Sequence, residues 1–202
     1  MSVSNLQYID NSTDQQGARK YTGTIALGYD QKRQQSDKWQ IEQNIVENML
    51  DDLQIGSWIL DCPCGTGRFF EFYHRKKFCF RAIDASADML RIASSKVIDP
   101  MKAKFAQGDV RATGLYDKSV DAAVNVRITR WLSPEDCQAM IREMQRVARK
   151  KIIFTARVAD HPHARPIELF EQVLDGWKIA RNERGSDDAY RIIMLKPEMA
   201  ND

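Results

Sequence analysis

The stretch Asp61-Cys62-Pro63-Cys64-Gly65-Thr66-Gly67-Arg68-Phe69 sets an acid just ahead of two closely spaced glycines. Glycine lets a chain turn sharply and approach a ligand that a side chain would hold away. An acid in front of such a turn repels phosphate and suits a cation. The dinucleotide pattern G-x-G-x-x-G needs a third glycine where Phe70 stands, and no Walker loop with its Gly-Lys-Ser/Thr ending occurs. A pyrophosphate is therefore poorly served. On the two glycines alone, a plain strand-to-helix turn stays an alternative.

Asp84 closes the apolar run FCFRAID (78–84). A carboxylate there can accept both hydroxyls of a ribose, or it can cap the helix that begins near Ser86. Gly108-Asp109-Val110 follows the third apolar run and Asn125-Val126-Arg127 closes the fourth. Cys62 and Cys64 form a C-x-C pair with no second Cys/His pair at zinc-site spacing, so reduced, buried thiols and no metal are expected. His161 and His163 lie in a Pro-flanked loop and are read the same way, without a metal.

These groups need a frame. Trp39, Ile41, Ile45, Val46, Met49, Leu50 and Leu53 recur at helical spacing, which predicts an amphipathic helix over 37–53. WILDC (58–62) predicts a buried strand, followed by a helix with Phe69, Phe72 and Tyr73 inward. Residues 78–84 predict a second strand, and 86–96 a helix with Met89, Leu90 and Ile92 inward. Further strands are expected at 102–109, 119–128 and 150–158. Ser133-Pro134-Glu135-Asp136 opens a helix to about Arg149, with Ser at the N-cap and acids in the first turn. A helix over 167–176 closed by Gly176 and a hairpin around Gly185-Ser186-Asp187-Asp188 complete the chain.

Apolar runs alternating with helices imply βαβ units and a mainly parallel sheet. The fold class is α/β: a Rossmann-like, doubly wound, seven-stranded sheet with a C-terminal antiparallel hairpin and an N-terminal helical flap. Residues 1–55 form the flap and first helix, 56–202 the core, as one unit, with the first 20 residues loose. At 202 residues the chain can bury a core without disulfides. A net charge of +2 with no Lys/Arg block weakens a nucleic-acid partner. No signal-peptide or membrane-spanning run occurs, so a cytoplasmic protein is expected.

Taken in order, the acid before the G-x-G loop, the acid ending the second strand and the residues after the third resemble class I S-adenosylmethionine-dependent methyltransferases. Among them the small-molecule members of the type 11/25 kind are the nearest in pattern. The resemblance spans roughly residues 21–197. It implies S-adenosylmethionine as cofactor, with Asp61, Cys64, Gly65, Thr66 and Gly67 in the loop. Asp84 and Ala85 would hold the ribose, with Met89, Asp109 and Val110 around the adenine. Asn125 and Val126 would lie beside the sulfonium. The segment from Tyr21 to Trp39 is similar to the family's flap, so Tyr29 would pack on the cofactor and Arg33 would clamp its carboxylate. Arg68 has an alternative role as a surface charge.

A sulfonium methyl is already activated, so alignment does most of the work and a base is optional. Asp30, Arg127, His161 and His163 are candidates for such a role, and no catalytic residue is assigned. The segment after the fourth strand lacks the D-P-P-Y and N-P-P-Y motifs of amino-methylating DNA enzymes. The preferred acceptor is a small molecule, with nucleic acid and protein left open. Rival readings are a non-catalytic S-adenosylmethionine binder, an enzyme that cleaves that cofactor, and a nicotinamide-dependent oxidoreductase.

Overall fold

The computed structural model describes residues 22–29, 36–159 and 161–198. Its seven strands are β1 (Trp58–Asp61), β2 (Cys79–Asp84), β3 (Ala103–Gln107), β4 (Val120–Asn125), β5 (Ala148–Arg157), β6 (Trp177–Arg184) and β7 (Tyr190–Pro197). They form one sheet in the order β3-β2-β1-β4-β5-β7-β6. The first five are parallel, and β7 runs antiparallel between β5 and β6. The expected doubly wound sheet with a closing hairpin is thus found. The hairpin inserts its second strand next to β5, so Tyr190 at its tip end sits opposite Arg157.

Helices cover both faces. They are α1 (Gly23–Leu27), α2 (Asp37–Leu50), α3 (Phe70–Arg75), α4 (Ala87–Ser94), α5 (Pro134–Val147) and α6 (Ile167–Glu171). One core layer packs Met140, Ile141 and Met144 of α5 against Leu60, Ala123 and Ile152 of the sheet. The other packs Val46, Met49 and Leu50 of α2 and Phe72 and Tyr73 of α3 against Ile59, Phe80 and Val124. All six residues of β4 are buried, as a strand covered on both faces requires. Ser133 accepts from the Asp136 N–H at 3.0 Å, the cap read from the sequence.

Three expectations change in detail. α2 ends at Leu50, and its inward stripe includes Glu42 at 1% exposure while Ile41 is 43% exposed. The face that meets the sheet runs through Trp39, Glu42, Val46 and Met49, an i, i+3, i+7, i+10 row. α6 stops at Glu171, well short of Gly176. There the Gln145 amide donates to Val173 O and accepts from Asp175 N–H, satisfying the backbone that a longer helix would have paired. In α4, Met89 and Ala93 are buried, whereas Leu90 and Ile92 are only half-buried. No helix among the described residues is long and apolar enough to cross a membrane.

Candidate functional site

The strand order reverses between β1 and β4, and a crevice opens beyond the carboxyl ends of strands at such a point. A cavity of about 300 Å³ lies there. Its floor is the loop after β1. The Cys64 N–H donates to Ile83 O at 2.9 Å and the Cys62 N–H to Val124 O at 3.0 Å, so β2 and β4 both hold the loop. Gly65 and Gly67 take φ of +54° and +79°, where a side chain would be strained. A Cβ on Gly65 would meet nothing within 4 Å, because that residue faces the open cavity. On Gly67 it would come within 2.6 Å of Phe70 Cδ2. The Phe70 ring sits where the dinucleotide motif has its third glycine, stacked on Phe80 at 4.5 Å between centroids.

Asp84 locks the floor. Its Oδ2 accepts from the Gly65 N–H and its Oδ1 from the Ser86 N–H, both at 2.8 Å. The helix cap itself is Ser86, whose Oγ accepts from the Met89 N–H at 3.3 Å. The capping role weighed for Asp84 thus falls to Ser86. Burial raises the Asp84 pKa despite these donors. Asp61 is buried beside it, and burial lifts its carboxyl to about 8, with the Asp84 charge adding and the Tyr73 hydroxyl, 3.3 Å away, opposing. Neither acid forms an ion pair among the described residues.

Of the residues singled out in the sequence, Asp61, Cys64, Gly65, Thr66 and Asp84 line the floor. Ala85, Met89, Val110, Val126 and Tyr29 line the sides. Three do not reach the cavity. Gly67 lies beneath Phe70. Asp109 is turned to Arg111, whose N–H and Nε donate to it at 2.7 and 2.9 Å and whose Nη1 reaches Asp136. Its neighbours Gly108 and Val110 form the wall instead. Asn125 is fully buried and donates from Nδ2 to Cys62 O at 2.8 Å, tying β4 to the loop. Arg33 and Asp30 lie outside the described residues. His161 is at the cavity rim, and its Nδ1 accepts the His163 N–H at 3.0 Å in a tight turn. No cluster among the described residues could hold a metal ion.

Of the outer wall, only Arg127 and the rim residue His161 were singled out as candidates in the sequence. Arg68, weighed there as a surface charge, is buried and stacked 3.6 Å over the Trp39 ring. It is paired with Glu42 and also donates to Trp39 O. Glu42 Oε1 also accepts from Arg127 Nε at 2.9 Å. One buried carboxylate thus holds two guanidiniums from two different loops. Trp131 and Arg130 after β4, Arg157 at the end of β5, and Asp187 and Tyr190 of the hairpin complete this wall. The signal for Glu42 was its place as the acid on the apolar row of α2. The rest come together only through the sheet order.

Residues 59–151, from β1 into β5, match the family described as "Methyltransferase domain". A malonyl-(acyl-carrier protein) O-methyltransferase of Hamiltonella defensa is 25% identical over 133 residues, 58% of this chain and 50% of the relative. The chain therefore spans about half the length of that curated relative. Magnesium protoporphyrin IX methyltransferase from Synechocystis PCC 6803, solved with bound SAH, superposes with a TM-score of 0.74 at 16% identity. That match covers 92% of this chain and all of the other. The (4+2)-cyclase SpnF superposes at 0.71 with 15% identity, over 91% of this chain and 96% of that one. Residues 59–151 are thus similar to the methyltransferase-domain family, and the chain around them has the fold of solved methyltransferases.

Proposed function

We propose that this chain transfers the methyl group of S-adenosylmethionine to a small-molecule acceptor. The observation that carries the reading is the cavity floor, where Gly65 faces open space with its N–H held by Asp84. The donor set fits the cofactor. Asp61 and Asp84, without ion pairs among the described residues, suit a cationic ligand bearing hydroxyl donors, and Met89 and Val110 offer apolar faces to a flat base. Asp84 would hold the ribose while bracing the loop, and Thr66 and Cys64 would border the sulfur end. Asn125 positions the glycine loop through Cys62 O, and Asp109 holds Arg111.

Bound S-adenosylmethionine supplies an activated methyl on a sulfonium. The chain's own part is alignment, which contributes up to about 7–11 kcal/mol when the reacting atoms are held in line. The walls after β4 and the hairpin tip would orient the acceptor and exclude water. A second reading, an S-adenosylmethionine-binding protein with another activity, is favoured by one observation: a protein of the same fold is named a cyclase.

Thermal unfolding with ligand tests the proposal. S-adenosylmethionine and S-adenosylhomocysteine at 100 times their dissociation constants should each add about 2.7 kcal/mol, and NAD nothing. For a chain of this size the midpoint then rises by about 5–10 °C. No shift with either sulfur ligand removes the reading. Labelled-methyl turnover in a metabolite extract then separates transfer from mere binding.

A further inference from the structure

We propose that Arg127 is the anion-recognising residue of the acceptor compartment, so that the acceptor is a flat, largely apolar molecule carrying a carboxylate or phosphate. This rests on the methyltransferase reading above. The Arg127 N–H donates to Thr155 Oγ1 at 2.8 Å, and its Nε to Glu42 Oε1 at 2.9 Å. Backbone and inner guanidinium edge are thereby fixed. The terminal nitrogens have no acceptor among the described residues, and the side chain is 28% exposed toward the cavity. The residue takes φ of +65°, a conformation that persists only where its surroundings enforce it. An arginine held by Nε presents a planar fork to a carboxylate or phosphate, the geometry of a bidentate pair.

The surroundings favour the same class. Glu42 Oε1 is shared by Arg68 and Arg127, so a single carboxylate answers two guanidiniums. Arg130, stacked 4.7 Å over Trp131, and the exposed Lys38 form no ion pair among the described residues. Arg157 and Asp187, 3.0 Å apart, balance each other. The wall is net positive. The Arg127 guanidinium lies 5.6 Å over Trp39 and 5.8 Å over Tyr190, and these rings with Trp131 offer flat apolar surfaces. A neutral acceptor would leave the fork unanswered. A cationic one would meet like charge.

The test uses the whole protein saturated with S-adenosylhomocysteine. Indole-3-acetate, phenyl phosphate and, as a neutral match, indole-3-acetamide are titrated in, with binding followed by tryptophan fluorescence and calorimetry. At least one anion should bind about tenfold or more tighter than the amide, the usual gain from a hydrogen bond to a charged group. Arg127→Gln should remove that preference while leaving the S-adenosylhomocysteine affinity within about twofold. Should Arg127→Gln not fold, Arg127→Lys and the wild-type acid–amide difference decide the matter. Equal binding of acid and amide, no saturable binding of any probe, or a loss confined to S-adenosylhomocysteine affinity overturns the proposal. The last outcome would give the fork to the cofactor's carboxylate. Failure of S-adenosylhomocysteine itself to bind sinks the underlying reading instead, and the melting experiment shows that first.

Discussion

At the cavity floor, Asp84 reaches two backbone N–H groups, 19 and 2 residues away in the chain. On the outer wall, Glu42 holds Arg68 and Arg127 across 26 and 85 residues, and every one of those contacts uses a side chain at both ends. The floor is a backbone shape with one carboxylate locking it. The wall is an assembly of charges and rings from α2, the glycine loop, the β4 turn and the hairpin. A backbone-made floor keeps one ligand through many changes of sequence. A wall made of side chains changes its ligand with a few substitutions, as expected where relatives share a fold but not an acceptor.

Removing the carboxylate of the wall should have the largest effect. Glu42→Leu leaves the buried Arg68 and the half-buried Arg127 without a counter-ion, and breaking a buried pair on one side costs about 3–5 kcal/mol. Urea denaturation should show that loss, with Glu42→Gln falling between the variant and the wild type. A Glu42→Leu protein of unchanged stability would mean that the wall is held by its aromatic packing alone, and the contrast with the floor would disappear.

The floor should respond in a different quantity. Asp84→Ala removes the acceptor of two loop N–H groups and, on the proposed function, the partner of the ribose. Affinity for S-adenosylhomocysteine should fall by roughly 1.5–3 kcal/mol, the range for hydrogen bonds to a charged group. Calorimetry on the folded variant measures it. Unchanged affinity would reduce Asp84 to a brace for the Gly65 and Ser86 N–H groups. That outcome would keep the floor but take away its link to the ligand.

The same contrast decides what the sequence could show. Asp61, Gly65, Thr66 and Asp84 were legible because strand ends and turns are local events, set by apolar runs and glycines a few residues apart. Ser133 was legible for the same reason. Asp109 misled because its neighbour Arg111, held between Asp109 and Asp136, turns the carboxylate away, an effect no strand-end rule contains. Asn125 lay in the expected place but serves the loop by bonding to Cys62 O. Glu42 went unread because the inward row of the helix was traced through Ile41, an exposed isoleucine, and through apolar residues alone. Arg127 meets Glu42 and Tyr190 only once the sheet order places the hairpin beside β5. Nothing local encodes that meeting.

The smallest effect per step is in pH, and it sharpens the floor alone. Burial first, and the Asp84 charge second, lift the Asp61 carboxyl to about 8 from an ordinary carboxylate value of 3.8. The folded protein without ligand therefore keeps a proton that the unfolded chain has lost between those values. Its stability should fall as pH rises through that window, since the folded state binds more protons there. A cationic ligand favours the ionised carboxylate, so binding below about pH 8 should release a proton. S-adenosylmethionine affinity should then rise with pH, by no more than about tenfold per unit, and level off above about 8. Asp61→Asn should flatten that rise without disturbing the anion preference of the wall. Calorimetry in two buffers of different ionisation heat counts the released proton directly. An affinity independent of pH in the wild type, or equally dependent in Asp61→Asn, would place the ligand's positive charge away from Asp61 and turn the floor's chemistry over to Asp84 alone.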